Sequence, residues 1–201
     1  MKTNLLIILG PTASGKSDLA VKLAKRFNGE VISADSRQVY KGLNVGTGKI
    51  TRLEMKGIRH HLLDVIDAKK QFTAEQFKKL ADKAIRDIQK KGKLPIICGG
   101  TGFYIEVITD RLELPAAVID LKLRKRLTGK TVSQLFNMLR KLAPKRAALL
   151  NDSDKKNPRR LVRAIEIAKV KPPQVEIKHS RLNLDRIINL LCHSRAGGNP
   201  V

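Results

Sequence analysis

Tryptophan is absent from this 201-residue chain, and two Tyr and five Phe hold the aromatic share to 3 %. Hydrophobic residues at 42 % still suffice for a packed core. Cysteine is scarce as well: Cys98 sits in an apolar run and Cys192 near the end. Two cysteines so placed exclude a disulfide framework and a Cys-built metal site. No apolar run approaches the ~18 residues of a membrane helix, so no membrane association is expected. Acids are outnumbered, with 18 Asp and Glu against 41 Lys and Arg, leaving a net charge of +23. Such an excess goes beyond solubility and points to a polyanion, nucleic acid first. A lysine-rich composition spread over every surface is the alternative. The N-terminus carries one Lys and then enters a strand and a glycine loop. A cleavable leader would remove that loop, so the chain is read as cytoplasmic. Its length suggests one domain with a small appendage.

The richest stretch is Leu5 to Ser17, LLIILGPTASGKS. A predicted buried strand leads into Gly10, Pro11, Thr12, Ala13, Ser14, Gly15, Lys16 and Ser17, which fit G-x-x-x-x-G-K-[ST]. An amphipathic helix is predicted from about Lys16 to Phe27. Glycines let the backbone wrap until its N–H groups converge on phosphate oxygens. The helix aims roughly half a unit of positive charge at the same point. Lys16 adds a full charge, and the Ser17 hydroxyl is placed to hold Mg²⁺ on bound phosphates. A diphosphate and a triphosphate fit equally well.

A second strand, Val31 to Ala34, runs into Asp35, Ser36, Arg37 and Gln38. Ligands of open α/β sheets sit beyond the carboxyl ends of the strands, which brings Asp35 near the phosphate loop. A carboxylate there suits a proton acceptor or an indirect Mg²⁺ partner; a turn-forming or capping Asp is the plainer reading. Gly42 to Gly48 reads as a glycine-rich loop. His60 and His61 precede LLDVID, expected to be a strand or strand-like segment, and without Cys or Glu at ligand spacing they read as structural or phosphate-adjacent. A helix is predicted over Thr73 to Lys91, capped by Thr73, with Phe77, Leu80, Ala81, Ala84, Ile85 and Ile88 on its apolar face. Leu94 to Cys98 is a third buried strand, ending in Gly99, Gly100, Thr101, Gly102, Phe103 and Tyr104. An ATPase would often carry an Asp at this strand end. Gly-Gly-Thr instead suits a backbone that approaches its substrate closely. Thr101 offers a hydroxyl on the same rim as Asp35, or a plain helix cap.

Strands alternating with helices imply an α/β fold, a P-loop-type parallel sheet flanked by helices. Beyond Pro115 the pattern changes to two short helices, Val118 to Leu127 and Val132 to Leu142, read as a small α-helical insertion. Asn157-Pro158 then opens a basic helix whose apolar stripe is Leu161, Ala164, Ile165 and Ala168. Between Lys155 and Lys171 stand seven basic residues and one acid. Arginine forks suit pairs of phosphate oxygens; a solvated helix face is the alternative.

GPTASGKS, ADSRQVYKGLNVGTGK, HHLLDVID, GGTGFY and NPRRLVRAIEI stand in the order and spacing of the bacterial tRNA dimethylallyltransferases, also called tRNA isopentenyltransferases. The resemblance covers about Leu5 to Ala168. It implies transfer of a dimethylallyl group from dimethylallyl diphosphate to N6 of the adenosine 3′ of the anticodon, in tRNAs reading codons that begin with U. By this resemblance Gly10 to Ser17 hold the diphosphate, with Ser17 on Mg²⁺ and Lys16 neutralising the leaving group. Asp35 takes the proton of the amine. Thr101 contacts the target nucleotide and steadies the leaving group. Asp35, Ser36, Arg37 and Gln38 line the tRNA site. Arg159, Arg160, Leu161, Val162 and Arg163 grip the tRNA. A further contact falls on Lys122 or Arg124, with the gap-free alignment favouring Lys122. The target base must leave its stack, and with few aromatics only Phe103 and Tyr104 are candidates to receive it.

The expected layout is a P-loop core over 1–114, a helical insertion over 115–155 and a basic helix returning to the core over 156–171. A divergent, partly disordered tail follows over 172–201, with KPPQVEIKHS able to trace a strand and SRAGGNP turn-like. The family ordinarily continues further, so a truncated form is expected, acting as a monomer. A non-catalytic tRNA-binding remnant and an ATP-dependent small-molecule P-loop kinase are the alternatives.

Overall fold

A computed structural model of the chain describes residues 4–109, 114, 119–170 and 186–191. The contacts divide them into two compact units, one ending at residue 114 and resuming with 186–191, the other holding 119–170.

The first unit is built on a five-stranded, all-parallel sheet. Its strands are β1 (Asn4–Leu9), β2 (Gly29–Ser33), β3 (His60–His61), β4 (Leu94–Gly99) and β5 (Arg186–Leu191), in the order β3-β2-β4-β1-β5. Alternation along the strands feeds two apolar layers. Leu5, Ile7, Ile32 and Ile97 pack with Phe77, Ala81, Ile85 and Ile88 of α3 (Ala74–Lys90) and Ile105 and Ile108 of α4 (Gly102–Ile108). Leu6, Ile8, Val31 and Ile96 pack on the other face with Ala20 and Ala24 of α1 (Lys16–Arg26). Thr73 starts α3 with a capping box, its hydroxyl accepting the Gln76 N–H while the Gln76 side chain accepts the Thr73 N–H. One short helix, α2 (Arg52–Met55), lies between β2 and β3.

One expectation for this unit is corrected and two are refined. The segment after His60 is strand-like but not a continuous strand: β3 ends at His61, where Leu62 and Asp64 adopt φ of 64° and 54°, and Ile66 then forms a parallel bridge with Tyr40. Leu80 is 38 % exposed, since Phe77, Ala81, Ala84, Ile85 and Ile88 already fill the buried face and Leu80 falls on its border. Within the stretch expected as a divergent, partly disordered tail, β5 pairs with β1 from Asn4↔Arg186 to Leu9↔Leu191. KPPQVEIKHS and SRAGGNP lie outside the described residues.

The second unit is helical: α5 (Leu121–Leu127), α6 (Val132–Leu142), α7 (Pro144–Ala148), α8 (Asp152–Lys155) and α9 (Pro158–Lys169). Its core joins Leu123, Leu127, Leu135, Leu139, Ala147, Leu161, Ala164 and Ile165. The basic helix, expected to return to the core, therefore groups with the insertion, because its apolar stripe packs on α6. Val118 lies outside the described residues; α5 starts at Leu121, where the Asp120 carboxylate accepts the Leu123 N–H at 2.9 Å.

Candidate functional site

The carboxyl ends of β1, β2 and β4 assemble the site. Beyond Leu9 the chain turns through Gly10 to Ser17, with Ala13 and Gly15 in the left-handed region at φ 63° and 76°. Such turns point successive N–H groups into one concavity, and α1 starts at Lys16 behind it. Lys16 folds over the loop, its Nζ donating to the Pro11 carbonyl at 2.8 Å. The Ser14 hydroxyl is buried inside the loop without a hydrogen-bond partner among the described residues. An orphaned hydroxyl in an amide-lined cradle is what a phosphate oxygen would satisfy.

β4 lies between β1 and β2, so its end reaches both loops. A Cβ on Gly99 would stand 2.3 Å from the Ala34 carbonyl oxygen, and one on Gly100 would stand 3.2 Å from that of Gly10. Only a bare backbone fits between the phosphate loop and the Asp35 segment. Thr101 stands at the start of α4 yet makes no side-chain cap. Its Oγ1 instead accepts the Ser36 N–H at 3.1 Å, and its own N–H donates to the Ala34 carbonyl at 3.3 Å. Asp35 is half-buried. Its Oδ1 accepts the Arg37 N–H at 2.8 Å, the turn-forming role; Oδ2 has no partner among the described residues.

Gln38 is committed to the fold. Its Oε1 accepts from Ser33 Oγ at 3.1 Å, and its Nε2 donates to the Thr47 and Gly48 carbonyls at 3.3 and 3.2 Å. It thereby pins the 42–48 loop, a role its sequence position does not announce. Tyr104 is corrected as a base-stacking candidate. It is 6 % exposed and stacks on Phe77 with ring centroids 3.8 Å apart. Burial, helped by Tyr40 and Asp35, pushes its hydroxyl up to about 12. Phe103, 47 % exposed, stays accessible. His61 is structural, its Nε2 2.7 Å from Glu30 Oε2, and burial holds His60 below the usual histidine range. Among the described residues no His, Cys, Asp and Glu cluster could hold a metal.

In the helical unit the expected tRNA-binding residues divide. Leu161 is corrected: it is fully buried in the core and cannot touch a ligand. Val162 and Arg163 are half-buried, while Lys122, Arg159 and Arg160 are exposed. Glu166, missed by sequence reasoning, lies buried beneath them. Its carboxylate accepts Arg124 Nε and Nη2 at 2.6 and 3.0 Å, Arg163 Nη1 at 3.0 Å and the Asp120 N–H at 3.3 Å. Burial opposes its ionisation, but these partners outweigh it and hold its carboxyl below the usual range. The acid three residues after Arg163 was the available signal. Arg160 is paired with Asp154 at 2.6 Å. Lys122 has no ion-pair partner among the described residues, whereas Arg124 is held by Glu166.

A parallel sheet with this loop at its carboxyl edge defines a P-loop α/β protein, carrying a helical unit after its fourth strand. The family model for IPP transferase matches residues 38–195. The chain is 41 % identical over 186 residues to a tRNA dimethylallyltransferase of Leuconostoc citreum, covering 92 % of this chain and 62 % of the relative. It is 43 % identical over 189 residues to one of Acetivibrio thermocellus, covering 91 % and 59 %. Among solved structures, a eukaryotic dimethylallyltransferase acting on tRNA matches with a TM-score of 0.77 and 30 % identity, over 96 % of this chain and 48 % of that one. The chain belongs to the IPP transferase family. It spans about three fifths of the length of the curated relatives it matches. The family match continues well past Lys171, where the sequence reading placed a departure. The kinase and remnant alternatives find no support in these comparisons. Among the described residues no helix is long and apolar enough to cross a membrane.

Proposed function

We propose that the chain transfers a dimethylallyl group from dimethylallyl diphosphate to N6 of the adenosine 3′ of the anticodon, in tRNAs reading U-starting codons. The reading places it in the cytoplasm as a monomer. One observation carries the reading: in a chain of this family, β4 brings the phosphate loop, Asp35 and Thr101 to one edge of the sheet. Gly10 to Ser17 bind the diphosphate through loop amides, the Ser14 hydroxyl and Lys16, which exchanges the Pro11 carbonyl for a phosphate oxygen. Charge accumulating on the departing diphosphate is neutralised where it forms. The Ser14 hydroxyl and the helix terminus suit the diphosphate oxygens, and Ser17 would hold Mg²⁺ on them, where the ion would supply further charge neutralisation. The Asp35 Oδ2 accepts the proton of the adenine amine, a weak nucleophile that needs a base. Thr101 fixes the Ser36 backbone and presents its hydroxyl to the nucleotide. Ser36 and Arg37 line the tRNA site, with Gln38 supporting it. Lys122, Arg159, Arg160 and Arg163 bind tRNA phosphates, with Arg124 and Val162 beside them.

The test is transfer of label from dimethylallyl diphosphate to undermodified tRNA with Mg²⁺, for the wild type and Asp35→Ala. Label that disappears in the variant while diphosphate binding persists supports the reading. Equal loss of transfer and diphosphate binding removes Asp35 as the base. A folded wild type that binds diphosphate but transfers nothing overturns the assigned reaction.

A further inference from the structure

The amino ends of the strands, opposite the phosphate loop, form a second concave feature. A cleft of about 610 Å³ opens there, lined by Lys25, Asn28, Glu30, Arg59, Lys91 and Lys93 among others. Glu30, 2 % exposed, carries the one negative charge among these six. Lys93 Nζ lies 3.0 Å from its Oε1, Lys91 Nζ lies 3.2 Å from both oxygens, and His61 closes the inner side at 2.7 Å. The buried carboxylate thus fixes two ammonium groups at the wall of the cleft, with side chains still 40 % and 35 % exposed.

An ammonium has three donors, and Glu30 does not exhaust either lysine. Lys25 and Arg59 are exposed on the same cleft and make no ion pair among the described residues. Four cations therefore face one anion. A cluster of loose surface lysines would lack both the concavity and the buried carboxylate that orders Lys91 and Lys93 in advance. Ordering before binding lowers the entropic cost of capturing an anion. The Arg59 fork matches two oxygens of a tetrahedral anion. Nothing in the proposed reaction uses this end of the sheet.

We propose that this cleft is a second anion site, taking the phosphate oxygens of a free diphosphate or of an RNA backbone. The phosphate loop would bind the same probe, so the test must separate the two. Inorganic pyrophosphate is titrated into the full chain by calorimetry and followed by amide chemical shifts, in the wild type, in Lys16→Ala and in Lys25→Ala/Arg59→Ala. The Lys16→Ala protein should keep one site, with shifts at Asn28, Gly29 and Gly57. Adding Lys25→Ala/Arg59→Ala to it should weaken that site at least tenfold, with an unchanged melting temperature because neither side chain is paired. Loss of all binding in Lys16→Ala, or shifts confined to Gly10–Ser17, overturns the site. The source is read from an anticodon stem-loop RNA. A drop of about 1.4 to 1.8 in the log-log salt slope for Lys25→Ala/Arg59→Ala assigns the cleft to backbone phosphates. An unchanged slope with pyrophosphate binding retained in Lys16→Ala assigns it to a free anion.

Discussion

The Thr101 hydroxyl accepts the Ser36 N–H at 3.1 Å instead of capping its own helix. The end of β4 is thereby tied to the residue that follows Asp35. Thr101→Val should leave the fold nearly intact, because water can reach the exposed Ser36 N–H. It should lower kcat/KM for prenyl transfer about tenfold, while Thr101→Ser restores it. Steady-state kinetics beside a thermal melt checks both halves.

Arg159 and Leu161, two residues apart on α9, should respond differently to Ala substitution. Arg159→Ala should reduce the log-log salt slope of tRNA binding by about 0.7 to 0.9 and leave the melt unchanged. Leu161→Ala empties a fully buried position and should cost about 2 to 5 kcal/mol of stability without altering the slope. Salt titrations and denaturant unfolding separate the two.

Removing the carboxylate of Glu166 takes one ion-pair partner from Arg124 and one from Arg163. Glu166→Ala should destabilise the helical unit by about 3 kcal/mol, the lower end for a broken buried pair, since both arginines keep about a third of their side chains exposed. Tighter tRNA binding by this variant would contradict the reading of Glu166 as the anchor of these arginines.

Glu30 sets an acid limit on stability. Burial opposes its ionisation, but hydrogen bonds from His61, Lys93 and Lys91 outweigh it and lower its carboxyl from 4.5 to about 2. A carboxyl lowered on folding stabilises the protein above its unfolded value. That contribution, about 3 kcal/mol, fades as pH falls from about 4.5 towards 2. In Glu30→Gln the unfolding free energy should change less across this window than in the wild type, as denaturant titrations at several pH values will show.

The sheet and its loop were legible because their signals are local. Apolar runs alternate with amphipathic helices, and the glycine spacing needs no tertiary context. The two-residue β3 was not legible: Leu62 and Asp64 take left-handed backbone with no glycine to announce it. Leu161 carried two competing signals, its place on the apolar stripe and its place among arginines, and packing on α6 favours the stripe. Which arginines stay open for a ligand depends on Glu166, Asp154 and their reach across helices, which spacing alone does not convey. Gln38 and Thr101 were legible as residues of interest, but their partners lie across a turn or on another strand.

The position of β4 between β1 and β2 bears on how the protein is made. β1 and β2 leave the ribosome early and do not pair with each other; β2 can meet β3, but the strand that joins β1 to β2 is β4, which starts only at Leu94. Until then both present open edges, the state in which strands recruit neighbours indiscriminately. The phosphate loop and Asp35 become neighbours in the same late step that closes the edges facing β4. A nascent chain shorter than Gly99 therefore holds neither a closed sheet nor an assembled site, and the two should mature together.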